Sequence, residues 1–486
     1  MKKWIAPFAL MCLLMSMIFA CAEESGTLAP DMEDGVVMTR HSAFINGETL
    51  DYTATAGHMV LDMDGSRCAV YFTAYTLDGV AGPDDRPVTF AFNGGPAAAA
   101  MWMQMGLMGP RRVELGADAE ALPRIIDNEY SFLSMTDLVF IDPVGSGYSR
   151  PLSGSDISAF IGYNNDIAVF SEFIRQYVER NGRGASPIYL AGESYGTTRA
   201  VGLCYELMTN CDMDIAGLML VSSMQDYSFE ERNTDNDLIY ALSLPTHVAV
   251  ARYHGKIEKV LQTMPLEMLM AEVRTFVEDV YVPALFKGNR LTEEERTSVA
   301  GRLAAYTGLT AETYLENNLR VSTTTFRYNL MEGESLTLEI NDGRRTYSME
   351  DEEGGVGSLR KAVSDATVRY FADELDFDTD LEYLALVTRP KGEWHFTEHN
   401  NEILTQEQII REIVDSDPKI RIWVLCGYYD LNTKFYQAEY VFDHALPGDA
   451  HRRNLRLTYY EAGHMIYLDP ASLAQLRRDA EGWFAR

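Results

Sequence analysis

A series of short apolar runs, separated by helical stretches, restricts the fold of this chain more than any other feature. The runs are 88–95, 137–142, 187–192, 215–222, 420–427 and 455–460. A strand covered on both faces is expected to be apolar along its whole length. Between two of these runs, the segment 166–179 places Ile167, Phe170, Ile174 and Tyr177 on one helical face. We therefore expect an α/β fold with a mainly parallel central sheet flanked by helices.

Two stretches depart from this alternation. Residues 41–78 have the aromatic and β-branched composition of β-hairpins and end at an Asp-Gly turn. Residues 227–400 lie between two of the core runs and contain a helix signature with a capping box, Thr292 to Glu295. We interpret 36–226 and 401–486 as two parts of one core, and 227–400 as an inserted, mostly helical cap.

The charge balance and the first residues limit the partners and the compartment. The formal net charge is −31, which argues against nucleic-acid binding because phosphate contact needs clustered Lys and Arg. Residues 1–22 have a basic start, an apolar run and small residues, the pattern of a secretory signal. Cleavage at an A-x-A site or lipidation at Cys21 both fit. We expect an exported protein, secreted or lipid-anchored at a bacterial cell surface, with no integral membrane span in the mature chain.

The remaining cysteines give little information. Their spacing is unlike that of a zinc site and too sparse for a disulfide scaffold; they are Cys68, Cys204, Cys211 and Cys426. Pairing of Cys204 with Cys211 and burial of both as free thiols are both compatible with the sequence. The oligomeric state is equally open.

The stretch "YLAGESYGTTRA" supplies a candidate nucleophile. Ser194 follows the apolar run 187–192 and precedes a helix-compatible segment, as a G-x-S-x-G elbow requires. Gly192 and Gly196 permit tight packing of such a turn. Ser194 is therefore expected at the carboxyl edge of the sheet, with its hydroxyl exposed to a substrate.

Candidate partners for Ser194 follow in the chain order Ser, Asp, His. Asp430 and His464 lie just after two later apolar runs, in "GYYDLNT" and "EAGHMIY". His464 would take the serine proton and return it to the leaving amine, while Asp430 holds the imidazole. A tetrahedral intermediate also needs two N–H donors, for which the backbone of Gly95 and of Tyr195 are the candidates.

Five motifs together resemble the serine carboxypeptidase family of the α/β-hydrolase fold, and the stretch 235–256 adds a resemblance to bacterial members. They are "NGGPAAAAMWMQMGLMGP", "IDPVGSGYSR", "AGESYGTTRA", "CGYYDLNT" and "EAGHMIY", in this order. The resemblance implies a serine-type carboxypeptidase that removes C-terminal residues from peptides with a free C-terminus. It implies neither a cofactor nor a metal.

The resemblance also implies a site for the substrate's terminal carboxylate, formed by Asn93 and Glu193 with the N–H of Gly94. Two facing carboxyl groups repel unless Glu193 stays protonated, so binding is expected to be better at mildly acidic pH. Three departures from the family pattern bear on this. Ala97 replaces a glycine, which would strain a positive φ; Leu107 and Met465 stand where many eukaryotic members carry glutamates.

Other functions are compatible with parts of the sequence. An esterase or acyltransferase would use the same Ser-Asp-His triad, and a non-catalytic exported binding protein would use only the scaffold. His395, Glu398 and His399 form an H-x-x-E-H pattern that binds zinc when it lies on a helix. Pro390 and Gly392 before it disfavour a long helix, so no metal site is expected there.

Overall fold

A computed structural model describes residues 32–80, 86–114, 123–233, 235–349, 356–387, 394–397 and 402–485. The signal sequence, Cys21, Glu398 and His399 lie outside these residues. The strands of the described ranges are β1 (Gly35–Ile45), β2 (Glu48–Met63), β3 (Ser66–Leu77), β4 (Val88–Phe92), β5 (Arg111–Glu114), β6 (Arg124–Asp127), β7 (Asp137–Ile141), β8 (Arg150–Pro151), β9 (Ile188–Glu193), β10 (Ile215–Val221), β11 (Leu336–Leu338), β12 (Thr346–Ser348), β13 (Arg421–Gly427) and β14 (Leu455–Tyr460).

One large sheet organises the protein. Its order is β1-β2-β3-β7-β4-β9-β10-β13-β14, and β8 adds to β3. The strands from β7 to β14 in this order are all parallel, and β1, β2, β3 and β8 are antiparallel. The apolar runs therefore form the parallel part of the sheet and the predicted hairpins form its edge, which confirms the expected fold class.

The helices of the described ranges cover this sheet. They are α1 (Tyr163–Arg180), α2 (Tyr195–Asn210), α3 (Leu238–Tyr253), α4 (Lys259–Gln262), α5 (Leu266–Phe276), α6 (Val282–Lys287), α7 (Glu293–Thr307), α8 (Ala311–Glu316), α9 (Thr323–Asn329), α10 (Val356–Asp373), α11 (Glu407–Ser416), α12 (Phe435–Ala445), α13 (Asp449–Arg452) and α14 (Pro470–Phe484). None of the helices within the described ranges has both the length and the apolarity that a bilayer span requires.

Both faces of the central parallel strands β4, β7 and β9 are buried, as the continuous apolar runs predict. Alternate residues of β13 enter different cores: Ile422 and Val424 lie in one with α1, α2, α3 and α12. Trp423 and Leu425 lie in the other with α10 and α14. This division follows from the two-residue period of a strand.

The segment between β10 and β13 contains helices α3 to α11 and the short hairpin β11–β12. The capping box that begins α7 is present, with the Thr292 side chain bonded to Glu295 N and the Glu295 side chain to Thr292 N. Helix α10 packs on the sheet through Tyr370 and Phe371. The four cysteines in the described ranges are free thiols, so Cys204 and Cys211 are not paired.

Candidate active site

Ser194 occupies a sharp turn between β9 and α2. Its φ of 58° and ψ of −127° are unusual for a residue with a side chain. Hydrogen bonds hold the turn: Ser194 N donates to the carbonyl of Val221 at 3.0 Å, and the Ser194 carbonyl accepts from Thr197 N and Oγ1. The strand–turn–helix geometry predicted for the "GESYG" motif is thus present.

The two glycines of that motif are required by close backbone contact. A Cβ on Gly192 would lie 2.0 Å from the carbonyl oxygen of Gly196, and a Cβ on Gly196 would lie 2.9 Å from that of Phe92. Real Cβ atoms are not found at such distances from backbone. The first turn of α2 is therefore pressed against both β9 and the end of β4.

Asp430 and His464 meet at the carboxyl ends of β13 and β14. Asp430 Oδ2 lies 2.8 Å from His464 Nδ1, and both side chains are buried. Asp430 Oδ1 accepts from the backbone N–H groups of Asn432 and Thr433, and Oδ2 accepts from Thr433 Oγ1 at 2.6 Å. These donors stabilise the carboxylate and fix its direction toward the imidazole.

The end of β10 connects His464 with Ser194. Val221 accepts from Ser194 N, and the next residue, Ser222, donates through Oγ to the His464 carbonyl at 2.6 Å. The structure therefore brings all three predicted triad residues to one edge of the sheet. With Nδ1 bonded to Asp430, Nε2 is the ring nitrogen left for proton transfer.

Carboxylates surround His464 and control its protonation. Burial would lower the pKa of His464, but Asp430, with further contributions from Glu193 and Glu339, raises the pKa to about 9. Glu339 is a buried residue just after β11, and the Asn341 carbonyl beside it accepts from His464 N at 2.5 Å. The hairpin β11–β12 of the inserted segment thus contributes to the site, which the sequence did not indicate.

The candidate oxyanion donors lie in two loops that touch. A Cβ on Gly94 would lie 2.6 Å from Tyr195 N, so the loop after β4 runs directly beside the start of α2. Gly95 has a φ of 102°, a conformation that suits glycine. Among the described residues, neither the Gly95 N–H nor the Tyr195 N–H has an acceptor. Both remain available to a substrate oxygen.

A buried arginine that the sequence analysis missed fixes this loop. Arg199 on α2 forms a bidentate ion pair with Asp166 on α1, at 2.7 and 3.1 Å. Its remaining N–H groups donate to the carbonyls of Asn93 at 2.7 Å and Pro96 at 2.9 Å. Arg199 lies one helical turn after the elbow, but only the fold shows which carbonyls it reaches.

Glu193 lies beside the candidate nucleophile Ser194 and is bonded through one oxygen. Its Oε2 accepts from Asn93 Nδ2 at 2.9 Å and from the Tyr467 hydroxyl at 2.6 Å. Burial raises the pKa of Glu193, against the opposing effect of His464 and these donors. The structure thus brings Asn93, Gly94 and Glu193 together. Tyr467 was not predicted, although it follows His464 by three residues in the same motif.

The three departures from the family pattern have structural outcomes. Ala97 is buried and does not adopt a positive φ, so the expected strain is absent. Leu107 is fully buried in the core that contains Tyr467, and Met465 packs against the same core. Both positions thus lie in or against the core of Tyr467, whose hydroxyl donates to Glu193 Oε2.

A cavity of about 500 Å³ opens at Ser194. The nucleophile region contributes Gly95, Pro96, Ser194 and Tyr195 to its lining, and the opposite side is formed by residues after β10, from α9 and from the start of α12. A cavity of this size accommodates a side chain and adjoining backbone of a peptide.

Residues 46–311 match the sequence model of a family described as serine carboxypeptidase. This segment is more than half of the chain. The protein belongs to the serine carboxypeptidase family. The segment includes Asn93, Glu193 and Ser194 but ends before Asp430 and His464, whose assignment depends on the geometry above.

Curated relatives of this family align over part of their length. Serine carboxypeptidase 1 of Hordeum vulgare is 24% identical over 156 residues, 32% of this chain and 30% of the relative. Serine carboxypeptidase-like 20 of Arabidopsis thaliana is 25% identical over 208 residues, 42% of this chain and 39% of the relative. The chain therefore spans well under half the length of these relatives.

The fold is similar to that of a solved carboxypeptidase. The crystal structure of KEX1(delta)p, a prohormone-processing carboxypeptidase from Saccharomyces cerevisiae, gives a TM-score of 0.54 at 18% identity. The match covers 87% of this chain and 89% of that one. These plant and yeast proteins give no support to the expected closeness to bacterial members.

Proposed function

We propose that this protein is a serine-type carboxypeptidase, which removes the last residue of a peptide through an acyl-enzyme on Ser194. Ser194 Oγ attacks the carbonyl of the last peptide bond, and His464 Nε2 takes its proton. The N–H groups of Gly95 and Tyr195 bind the oxyanion. His464 then protonates the leaving amine, and water hydrolyses the acyl-enzyme by the reverse sequence.

The observation that carries the proposal is the bonding of Glu193. Both Asn93 and Tyr467 donate to Oε2, so a proton on this buried carboxyl belongs on Oε1. A protonated Oε1 can donate to a substrate carboxylate, whereas an ionised one repels it. A triad with such an acid directly before the nucleophile suits a substrate that ends in a free carboxylate. An ordinary ester substrate has no free carboxylate that this acid could bind.

The pH profile of such an enzyme depends on two coupled groups. Productive turnover needs neutral His464 and protonated Glu193, yet the pKa of each is raised by the site. Activity on free-acid peptides therefore falls at low pH as His464 is protonated and at high pH as Glu193 ionises. The apparent pKa values belong to the pair of groups.

We also propose that the segment 227–400, apart from α10 on the face of the sheet, covers the site as a cap and that the protein is exported. The first proposal is supported by the contact of the β11–β12 hairpin with His464 and by the α9 residues in the cavity lining. The second depends on the pattern of residues 1–22. N-terminal sequencing and a lipid assay of the protein from its native host would test cleavage and anchoring.

The test of the function compares an N-blocked dipeptide with its C-terminal amide, and with a matched ester. Release of the last residue from the free acid, and much slower release from the amide, is expected. Ser194→Ala should abolish turnover, and Glu193→Gln should reduce kcat/KM for the acid more than for the ester. Ester turnover without any release from free-acid peptides, with Ser194 labelled by a fluorophosphonate, would instead identify an esterase or acyltransferase.

A further inference from the structure

The cavity at Ser194 is separate from the candidate carboxylate site, because Asn93, Glu193 and Tyr467 do not line it. A peptide whose last carboxylate lies at Glu193 has its scissile carbonyl at Ser194. The residue before the scissile bond is then the one that enters the cavity.

The cavity contains acidic side chains that already have their partners. Glu231 accepts from the backbone N–H groups of Thr323 and Thr324 and from Thr324 Oγ1, and its pKa is lowered in spite of burial, through Lys434 and these donors. Glu230 is paired with the exposed Arg232 at 2.5 Å. Both carboxylates therefore already have hydrogen-bond or ion-pair partners within the protein.

Lys434 is different because its charge has no direct partner. It lines the cavity with only 5% of its surface exposed. Within the part of the chain that the structure describes, its Nζ makes no hydrogen bond and no ion pair within 4.0 Å, unlike Lys256, Lys287 and Lys361. Burial lowers its pKa, although Glu231 and Asp430 favour the charged form from a distance. Because Lys434 lines the cavity and its ammonium has no acceptor among the described residues, an anionic group in the cavity would stabilise its charged form.

Two other features increase the positive potential at the same place. Helix α12 begins at Phe435 without a side-chain cap, and Lys434 and Gln437 of its first turn both line the cavity. Arg327 from α9 also lines it, held by bonds to the Leu338 carbonyl and the Tyr347 hydroxyl. An entering carboxylate would supply the acceptor that the Lys434 ammonium lacks.

We propose that the cavity is the subsite for the residue before the scissile bond, and that Lys434 selects an acidic side chain there. This inference rests on the proposed function, since the preferred peptides are named for a carboxypeptidase. The subsite itself requires only that Ser194 is acylated by the substrate. It names peptides ending in Asp-Xaa or Glu-Xaa as the preferred class. The carboxylate of that Asp or Glu would pair with the Lys434 ammonium.

The test uses N-blocked dipeptides that differ only at the first residue, Glu, Gln, Leu or Lys, with one common C-terminal residue. A matching series of nitrophenyl esters of the N-blocked Glu, Gln, Leu and Lys carries no terminal carboxylate. For the full-length enzyme we expect kcat/KM for Glu to exceed that for Gln by about tenfold or more, as for other buried charge pairs. Lys is expected to be the poorest substrate.

Three variants assign the preference to one side chain. Lys434→Met should bring the Glu-to-Gln ratio close to about one, and Lys434→Arg should keep it above one. Lys287→Met removes a surface lysine paired with Glu295 and should leave the ratio unchanged. Thermal unfolding of each variant checks the fold, because Lys434→Met removes a buried charge but also the cation that helps to keep the buried Glu231 ionised.

The outcomes separate the two proposals. Equal rates for Glu and Gln, or a preference for Lys, in the unmodified enzyme would overturn the inference without any variant. A preference for Glu that persists in Lys434→Met would overturn it too. If no dipeptide reacts but the esters show the Lys434-dependent preference, the subsite is supported and the carboxypeptidase proposal is wrong. If neither series reacts, both are wrong.

Discussion

The guanidinium of Arg199 donates to the backbone carbonyl of Asn93 at 2.7 Å, and so joins the helix after Ser194 to the loop that carries Gly95. The same side chain is paired with Asp166 and is fully buried. The position of the candidate oxyanion donor relative to the candidate nucleophile Ser194 therefore depends on a residue outside the proposed reacting groups. We regard Arg199 as a positioning residue.

Replacing Arg199 by Met should damage both stability and turnover. Asp166 would remain buried without a partner, which costs about 3–5 kcal/mol of unfolding free energy. The loop from Asn93 to Pro96 would lose two donors, and a small displacement of Gly95 is expected to reduce kcat about 100-fold with a smaller effect on KM. Denaturant unfolding and steady-state kinetics measure the two effects.

A double variant separates the effect of Arg199 on stability from its effect on turnover. Arg199→Met combined with Asp166→Leu leaves no unpaired charge and should recover most of the lost stability. Its kcat should stay low, because the loop still lacks its donors. Recovery of kcat together with stability would show that Arg199 serves only the fold.

The sequence predicted the parts of this site that depend on local order along the chain. Ser194, Asp430 and His464 each follow an apolar run, and parallel strands bring their carboxyl ends to one edge of the sheet. The elbow could be recognised because Gly192 and Gly196 mark a turn too tight for side chains. Periodicity and turn chemistry were enough for these features.

The residues that were missed act across the fold. Arg199, Tyr467 and Glu339 have no local pattern that marks their roles, and each contacts the site through a partner distant in sequence. Helix α10 shows the same limit for the fold, since its own sequence does not reveal that it packs against the sheet. Such contacts follow from tertiary packing, which cannot be inferred from local patterns in a single sequence.

Tyr467→Phe should extend carboxypeptidase activity to higher pH. The Tyr467 hydroxyl donates to Glu193 Oε2 at 2.6 Å and lowers the pKa of Glu193, which burial has raised. Without it the pKa rises further, so Glu193 stays protonated, and able to bind a carboxylate, to a higher pH. The alkaline limb of kcat/KM for a free-acid peptide should move upward.

An ester substrate is the control for Tyr467→Phe, because it places no carboxylate at Glu193. Its alkaline limb should be the same in both enzymes. If the alkaline limb moved to lower pH with the peptide, or moved equally with the ester, Tyr467 would not act through the protonation of Glu193.

Glu339→Gln should move the acidic limb of ester hydrolysis to lower pH. Glu339 helps to raise the pKa of His464 to about 9, so removing its charge lowers that pKa and leaves more neutral imidazole at a given pH. Glutamine can still accept from Asn341 N through the remaining oxygen, which preserves the turn. Glu334→Gln, an exposed neighbour paired with Lys256, is the matched control and should leave the limb unchanged. An unshifted acidic limb in Glu339→Gln would show that the charge of Glu339 does not affect the pKa of His464.

Gly192→Ala tests whether the elbow requires a glycine. The new Cβ would lie 2.0 Å from the carbonyl oxygen of Gly196, so α2 must move away from β9 or the variant fails to fold stably. Either way Ser194 leaves its position, and we expect loss of fluorophosphonate labelling and of turnover, with a lower unfolding temperature.

Gly301→Ala supplies the comparison for this change. Gly301 lies within α7, where an added Cβ meets no other atom within 4 Å. Alanine is the better helix former, so this variant should gain about 0.5–1 kcal/mol in unfolding free energy and keep full labelling. Normal labelling of Ser194 in Gly192→Ala would contradict the argument, because it would mean that the turn tolerates a side chain where the backbone atoms leave no space.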